Sequence, residues 1–209
     1  MAATRAGFCS AIVLALLLPA TGTGPAMAAG FMKTGGYTSQ PIGHYEFCKR
    51  NPSECRIRPR DNGPEILSKD LWNKIVSVNL SVNHRIKPMA DVDIYGSDEV
   101  WDYPHGVGDC EDYVLEKRRI LNDEGFSLAN LLITVVRKQD GEGHAILTVR
   151  TDRGDFILDN LTDAVRPWED TGYWFLKRQA SNHTGRWVTI DGFNNPFVGS
   201  VKSVHPPRR

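Results

Sequence analysis

The sequence has no surplus of either charge: 25 Lys and Arg stand against 25 Asp and Glu in 209 residues. Most nucleic-acid binders carry a basic surplus that displaces counterions, so no nucleic acid is expected as a partner. Internal repeats and low-complexity linkers are also absent, which sets aside solenoids and flexible spacers. His44, His84, His105, His183 and His205 are scattered without ligand spacing and are expected as solvated groups or local hydrogen-bond partners. Beyond the N-terminus, no apolar run approaches the roughly 20 residues that span a bilayer. What remains, at 41% apolar, 9% aromatic and 24% charged, is an ordinary globular chain sized for one domain.

The N-terminus is different in kind. Arg5 precedes an apolar run over residues 11–18, and the small residues Ala26 and Ala28 follow where a signal peptidase needs them. The expectation is a secretory signal peptide over residues 1–28, cut before Ala29, then a folded domain over 29–200. Residues 201–209, with two prolines and two arginines, are expected as a disordered tail. The mature protein is thus expected to be periplasmic or secreted, and not membrane-spanning.

Export changes what the cysteines mean, because thiols outside the cytoplasm oxidise. Three remain after cleavage. Cys48 and Cys55 lie seven residues apart across Asn51-Pro52, a turn-forming pair, and a local disulfide is their simplest arrangement. Cys110 is left odd, and an unpaired exported cysteine needs a reason.

Patterning divides the rest. Residues 29–64, rich in Gly, Pro and polar side chains, are expected to wrap the domain rather than build its core. Leu71, Ile75, Val78 and Val82 recur with helical spacing after Ser68, a candidate N-cap, and Pro88 ends the run. Asp109 is placed to cap a second helix to about Asn122, with Cys110, Val114, Lys117 and Leu121 on one face and Gly125 as its stop. Strands follow over 129–138, 144–151 and 155–162, with shorter ones near 173–178 and 187–190. Helices first and an antiparallel meander afterwards give an α+β domain. Trp101, Trp168, Trp174 and Trp187 are expected in the core or in a cleft wall.

The chemistry gathers at Gly108-Asp109-Cys110-Glu111-Asp112. A cysteine in the first turn of a helix feels the amide dipoles, which favour the thiolate and could cradle an oxyanion. A buried structural cysteine would look the same, so the strands matter. A thiolate wants a histidine base, and the histidine an orienting carboxylate. A two-residue turn at Asp152-Arg153 pairs Thr151 with Gly154 and sets Asp159 opposite Ile146. Asp159 then shares a sheet face with His144, one diagonal step away. A one-residue slip would separate them.

Gly108-Asp109-Cys110-Glu111-Asp112-Tyr113, Gly143-His144-Ala145 and Leu158-Asp159-Asn160, in that order, resemble the bacterial transglutaminase-like cysteine peptidases. The resemblance implies a papain-like core with Cys110 as nucleophile, His144 as general base and Asp159 orienting it, acting on a protein substrate. One branch of the family is a calcium-requiring periplasmic protease that releases a surface adhesin and is sequestered by an inner-membrane receptor. The short 101–110 segment and the Cys48/Cys55 pair are closer to the short exported members. A regulatory membrane receptor is therefore a possible partner by resemblance only.

Calcium is expected on physical grounds as well; no organic cofactor is. Asp109, Glu111 and Asp112 crowd one thiol, and their charge would suppress the thiolate unless a divalent ion reversed the local field. Oxygen ligands from a flexible acidic loop suit calcium. Three readings stay open: a thiol endopeptidase, a transglutaminase or glutamine deamidase using the same thioester, and a non-catalytic calcium-responsive binding module.

Overall fold

The computed structural model describes residues 30–191. The expected signal peptide and the expected tail lie outside them. Along the chain run β1 (Lys33–Thr38), α1 (Ile42–Arg50), α2 (Pro52–Cys55), α3 (Lys69–Arg85), β2 (Lys87–Pro88), α4 (Asp91–Tyr95), β3 (Val107–Gly108) and α5 (Cys110–Asp123). Six longer strands follow: β4 (Leu131–Arg137), β5 (Gly143–Thr151), β6 (Gly154–Asp159), β7 (Thr162–Pro167), β8 (Trp174–Ala180) and β9 (His183–Asp191). Seven strands make one antiparallel sheet in the order β1-β9-β8-β4-β5-β6-β7, while β2 and β3 pair separately and in parallel. The domain is α+β.

Both long helices form where their apolar spacing places them. The Ser68 hydroxyl accepts from Leu71 N–H at 3.1 Å, and the α3 stripe of Ile75, Val78 and Val82 is buried. α5 starts at Cys110, and Gly125, at φ 97°, follows its end. Asp109 holds the N-cap position without a side-chain cap, because its carboxylate belongs to the acidic cluster beside the thiol. Between the helices and the sheet lie Ile75, Val82, Val114, Leu121, Ile133, Leu147, Val149 and Leu158. Ile146, Ile157, Trp168, Phe175 and Ile190 form a second cluster. Trp101, Trp168 and Trp187 are buried.

The segment expected only to wrap the domain contributes structure. β1 extends the sheet beside β9, and its register shifts between Thr34 and Tyr37. A Cβ on Gly35 would come within 2.4 Å of the Thr189 hydroxyl, so the glycine that reads as loop is the residue that fits this strand. α1 buries Gly43, His44 and Phe47; there is no room for a side chain at position 43, where a Cβ would stand 2.4 Å from the Trp101 ring. Cys48 and Cys55 form a disulfide with Cα atoms 5.5 Å apart, tying α1 to α2. His44, expected as solvated or a local partner, is instead a core group. The Trp187 indole donates to its Nδ1 at 3.2 Å, across 143 residues of sequence.

Thr151 pairs with Gly154 and Leu147 with Leu158, the register that the two-residue turn demands. The strand expected over 155–162 ends at Asp159. There the chain turns through Asn160-Leu161 into β7, an edge strand without apolar alternation.

Candidate active site

α5 meets β5 at Cys110, and β5 and β6 bring His144 and Asp159 together. Cys110 opens α5, and its sulfur accepts the backbone N–H of Ala145, the residue after His144. His144 is the second residue of β5 and Asp159 the last of β6. His144 Nε2 lies 2.9 Å from Asp159 Oδ1, with both side chains almost wholly buried. That bond commits Nε2 and makes Nδ1 the nitrogen available to a thiol. Burial pushes Asp159 up, but the hydrogen bond and charge of His144, with the Leu161 N–H, bring it below the usual carboxylate range.

Tyr173, which no local pattern marks as a site residue, completes this pair. Its hydroxyl donates to Asp159 Oδ2 at 2.6 Å, and its ring meets the His144 ring edge-on at 5.6 Å. Each carboxylate oxygen of Asp159 is thus engaged, and an aromatic ring packs on the imidazole. Nothing in the local sequence separates Tyr173 from an ordinary strand tyrosine.

The thiol environment differs from a simple helix start. The amide dipoles of a helix start lower a thiol pKa, yet burial, then Glu111, push the Cys110 thiol well above its ordinary value. Its hydrogen is donated to Glu111 Oε2 at 3.1 Å. Burial, then the charge of Asp109, carry Glu111 up to about 9. Burial also carries Asp112 up to about 7, against the Asp102 N–H that favours its charge.

The three expected carboxylates fall into two groups that share Asp109. Asp109, Cys110 and Glu111 form one; Asp109, Asp112 and Asp91 form the other, each with ligand atoms within 4.8 Å of one another. Asp91, on the short helix α4, was not anticipated, because 17 or more residues separate it from the motif and only the fold brings it back. In the second group Asp91 Oδ1, Asp109 Oδ1 and Asp112 Oδ2 are buried without a hydrogen-bond partner. Three buried oxygens without hydrogen bonds, from two buried carboxylates and the half-buried Asp109, are a donor set suited to a hard cation such as calcium. Gly108 belongs to this arrangement: a Cβ there would sit 2.6 Å from Asp112 Oδ2.

Helices on an antiparallel sheet, with a helix-start cysteine beside a buried His–Asp pair, define the transglutaminase-like class of thiol enzymes. Within it, the chain belongs to the bacterial transglutaminase-like cysteine proteinases, whose sequence profile matches residues 34–195; it is a cysteine peptidase. Among solved structures the chain is similar to LapG of Legionella pneumophila, with 24% identity and a TM-score of 0.48 over 56% of this chain and 68% of that one. For calcium-bound LapG the values are 23%, 0.49, 60% and 74%, and for the EGTA-treated protein 21%, 0.48, 59% and 68%. No curated protein matches. Among the described residues, no helix is long and apolar enough to cross a membrane.

Proposed function

We propose that this protein is an exported thiol endopeptidase that cleaves a periplasmic or cell-surface protein with Cys110, His144 and Asp159. The observation that carries this reading is the buried 2.9 Å pair of His144 and Asp159 beside the sole free cysteine among the described residues. His144 takes the thiol proton on Nδ1, and the sulfur attacks the scissile carbonyl. The backbone amides at the start of α5 face the developing oxyanion. The imidazolium then gives its proton to the departing amine, leaving a thioester. Water, deprotonated by His144, attacks the thioester and restores the thiol. Asp159, held by Tyr173 and the Leu161 N–H, keeps the ring oriented and steadies its charged form.

Calcium fits this reading through its oxygens. Asp91, Asp109 and Asp112 would hold the ion, which supplies positive charge beside a thiol that burial and Glu111 now keep protonated. Export rests on the signal peptide read in residues 1–28, and sequestration by a membrane receptor follows only from family resemblance.

The test compares exported proteins from cells carrying the wild-type gene and cells carrying Cys110→Ala by terminus-resolved mass spectrometry. New protein termini that depend on Cys110 are expected. Isopeptide crosslinks or deamidated glutamines would instead assign acyl transfer from glutamine, and identical proteomes would assign a binding module.

A further inference from the structure

α3 is an amphipathic helix with two amides set into the side that meets the sheet. Asn79 is wholly buried, and Asn83 follows one turn later. A buried amide costs stability unless it is bonded, and these two spend their N–H₂ groups on a single turn. Asn79 Nδ2 donates to the carbonyls of Thr162 and Asp163 at 3.1 and 3.0 Å. Asn83 Nδ2 reaches the carbonyls of Asp159 and Thr162 at 3.0 and 3.1 Å, and Asp163 Oδ1 at 3.1 Å. Both Oδ1 atoms remain buried without a partner.

α5, packed against α3, carries the complementary group. Lys117 is fully buried two turns beyond Cys110, and its Nζ also has no hydrogen-bond partner. Burial draws it down to about 7, and the charges that oppose this are Asp159 and Asp163, which bracket the same turn. Burying an ammonium there is costly, and an apolar side chain of similar size would pack there without that cost. Stability therefore does not explain the lysine. Lys117 Nζ lies over the Tyr113 ring, 5.8 Å from its centroid, and neither it nor the two asparagine oxygens, on the helices beneath the turn that presents Asp159, has a hydrogen bond.

We propose that Lys117, Asn79 and Asn83 form a buried polar post under the 159–163 turn and act as positioning residues, fixing Asp159 against His144. The proposal rests on the triad reading above. The post touches no substrate; it acts through the turn. Asp159 carries its carboxylate at the last residue of β6, where the ladder with β5 has stopped at Leu158 and only the pair with Thr162 of β7 remains. The Asn83 bond to the Asp159 carbonyl adds a hold from the helix side. A turn free to drift by a fraction of an ångström would lengthen the His144–Asp159 bond and release the imidazole, and misplacement on that scale is costly to rate.

The test uses the mature protein with calcium and measures two things at neutral pH: the rate at which iodoacetamide modifies Cys110, and the downfield proton resonance of the His144 Nε2–H bonded to Asp159. Lys117→Met and Asn83→Leu should each slow modification by about 10-fold and shift or broaden the resonance while the circular dichroism is unchanged. The double variant should be no slower than the worse single, because the residues act as one device. Val78→Ala, a purely apolar loss on the same helix, should lower thermal stability and leave both readouts in place. Should Asn83→Leu fail to fold, Lys117→Met decides alone. Modification within about two-fold of wild type with an unmoved resonance, in folded Lys117→Met, would overturn the proposal. If the wild type lacks the resonance and His144→Ala reacts as fast as wild type, the triad reading itself fails and the post falls with it.

Discussion

At His44, a side chain that could be solvated anywhere on an exposed helix face is only 2% exposed. It is packed between Trp101 and Trp187 at 5.3 Å from each ring, with the Gln40 amide 2.6 Å from Nδ1. Burial, then the charge of Arg118, bring its pKa down to about 3, so the native state holds it neutral. The sign follows: between about 6.5 and about 3 the unfolded chain binds a proton that the folded chain refuses, so stability is full above the unfolded pKa and is lost as pH falls. Wild type should exceed His44→Gln in urea-unfolding free energy at pH 7, and this excess should shrink steadily toward pH 4. A constant difference across that range would show that His44 is not the titrating group. The sequence could not reveal this burial, because the aromatic partners of His44 arrive from positions 101 and 187. The pairing of His144 with Asp159 was readable from turn chemistry alone, since both partners lie on strands joined by a two-residue turn. Tyr173 and Asp91 reach the site only through the fold, and no local pattern marks them.

The elements show the same division between local and distant causes. α3, α5 and the β5–β6 hairpin follow from apolar period, caps and a turn. β1 and β7 are the two edges of the sheet, half-solvated and lacking alternation, so periodicity could not find them. The α1–α2 pair was legible as a disulfide before it was legible as helices. Its bridge closes a loop over a separation of seven residues, and Thr184 N–H binds the Ile57 carbonyl at 3.0 Å just beyond it, leashing α2 to β9. A loop this short constrains the unfolded chain by only about 2 to 3 kcal/mol. Cys48→Ser/Cys55→Ser should therefore lower the unfolding free energy in urea by that amount and keep a cooperative transition. Non-reducing peptide mapping checks the premise: Cys110 found bridged to either residue in active protein would overturn both the bridge and the free nucleophile.

Across the whole molecule, the acidic cluster is where separate parts of the chain meet, with the Val100 and Asp102 N–H groups bonded to Asp91 and Asp112. α4 contributes Asp91, and the start of α5 contributes Asp109 and Asp112. Their buried oxygens repel one another, and burial holds Asp91 above its ordinary value and carries Asp112 up to about 7. An ion that binds only the folded arrangement stabilises it by mass action, by about 2.7 kcal/mol at a hundredfold excess over its dissociation constant. For a domain of this size that corresponds to a rise in Tm of roughly 5 to 10 °C. Calcium should produce such a rise over chelator-treated protein. Magnesium should produce less, because its strict octahedral shell and reluctance to shed water suit a carboxylate-lined site poorly. Asp91→Asn should diminish the response although Asp91 lies outside the cysteine motif, which separates a site built by the fold from an acidic helix start that merely attracts cations. Equal Tm in calcium and chelator, with peptidase activity undiminished in chelator, would leave the cluster as a protonated, hydrogen-bonded part of the core.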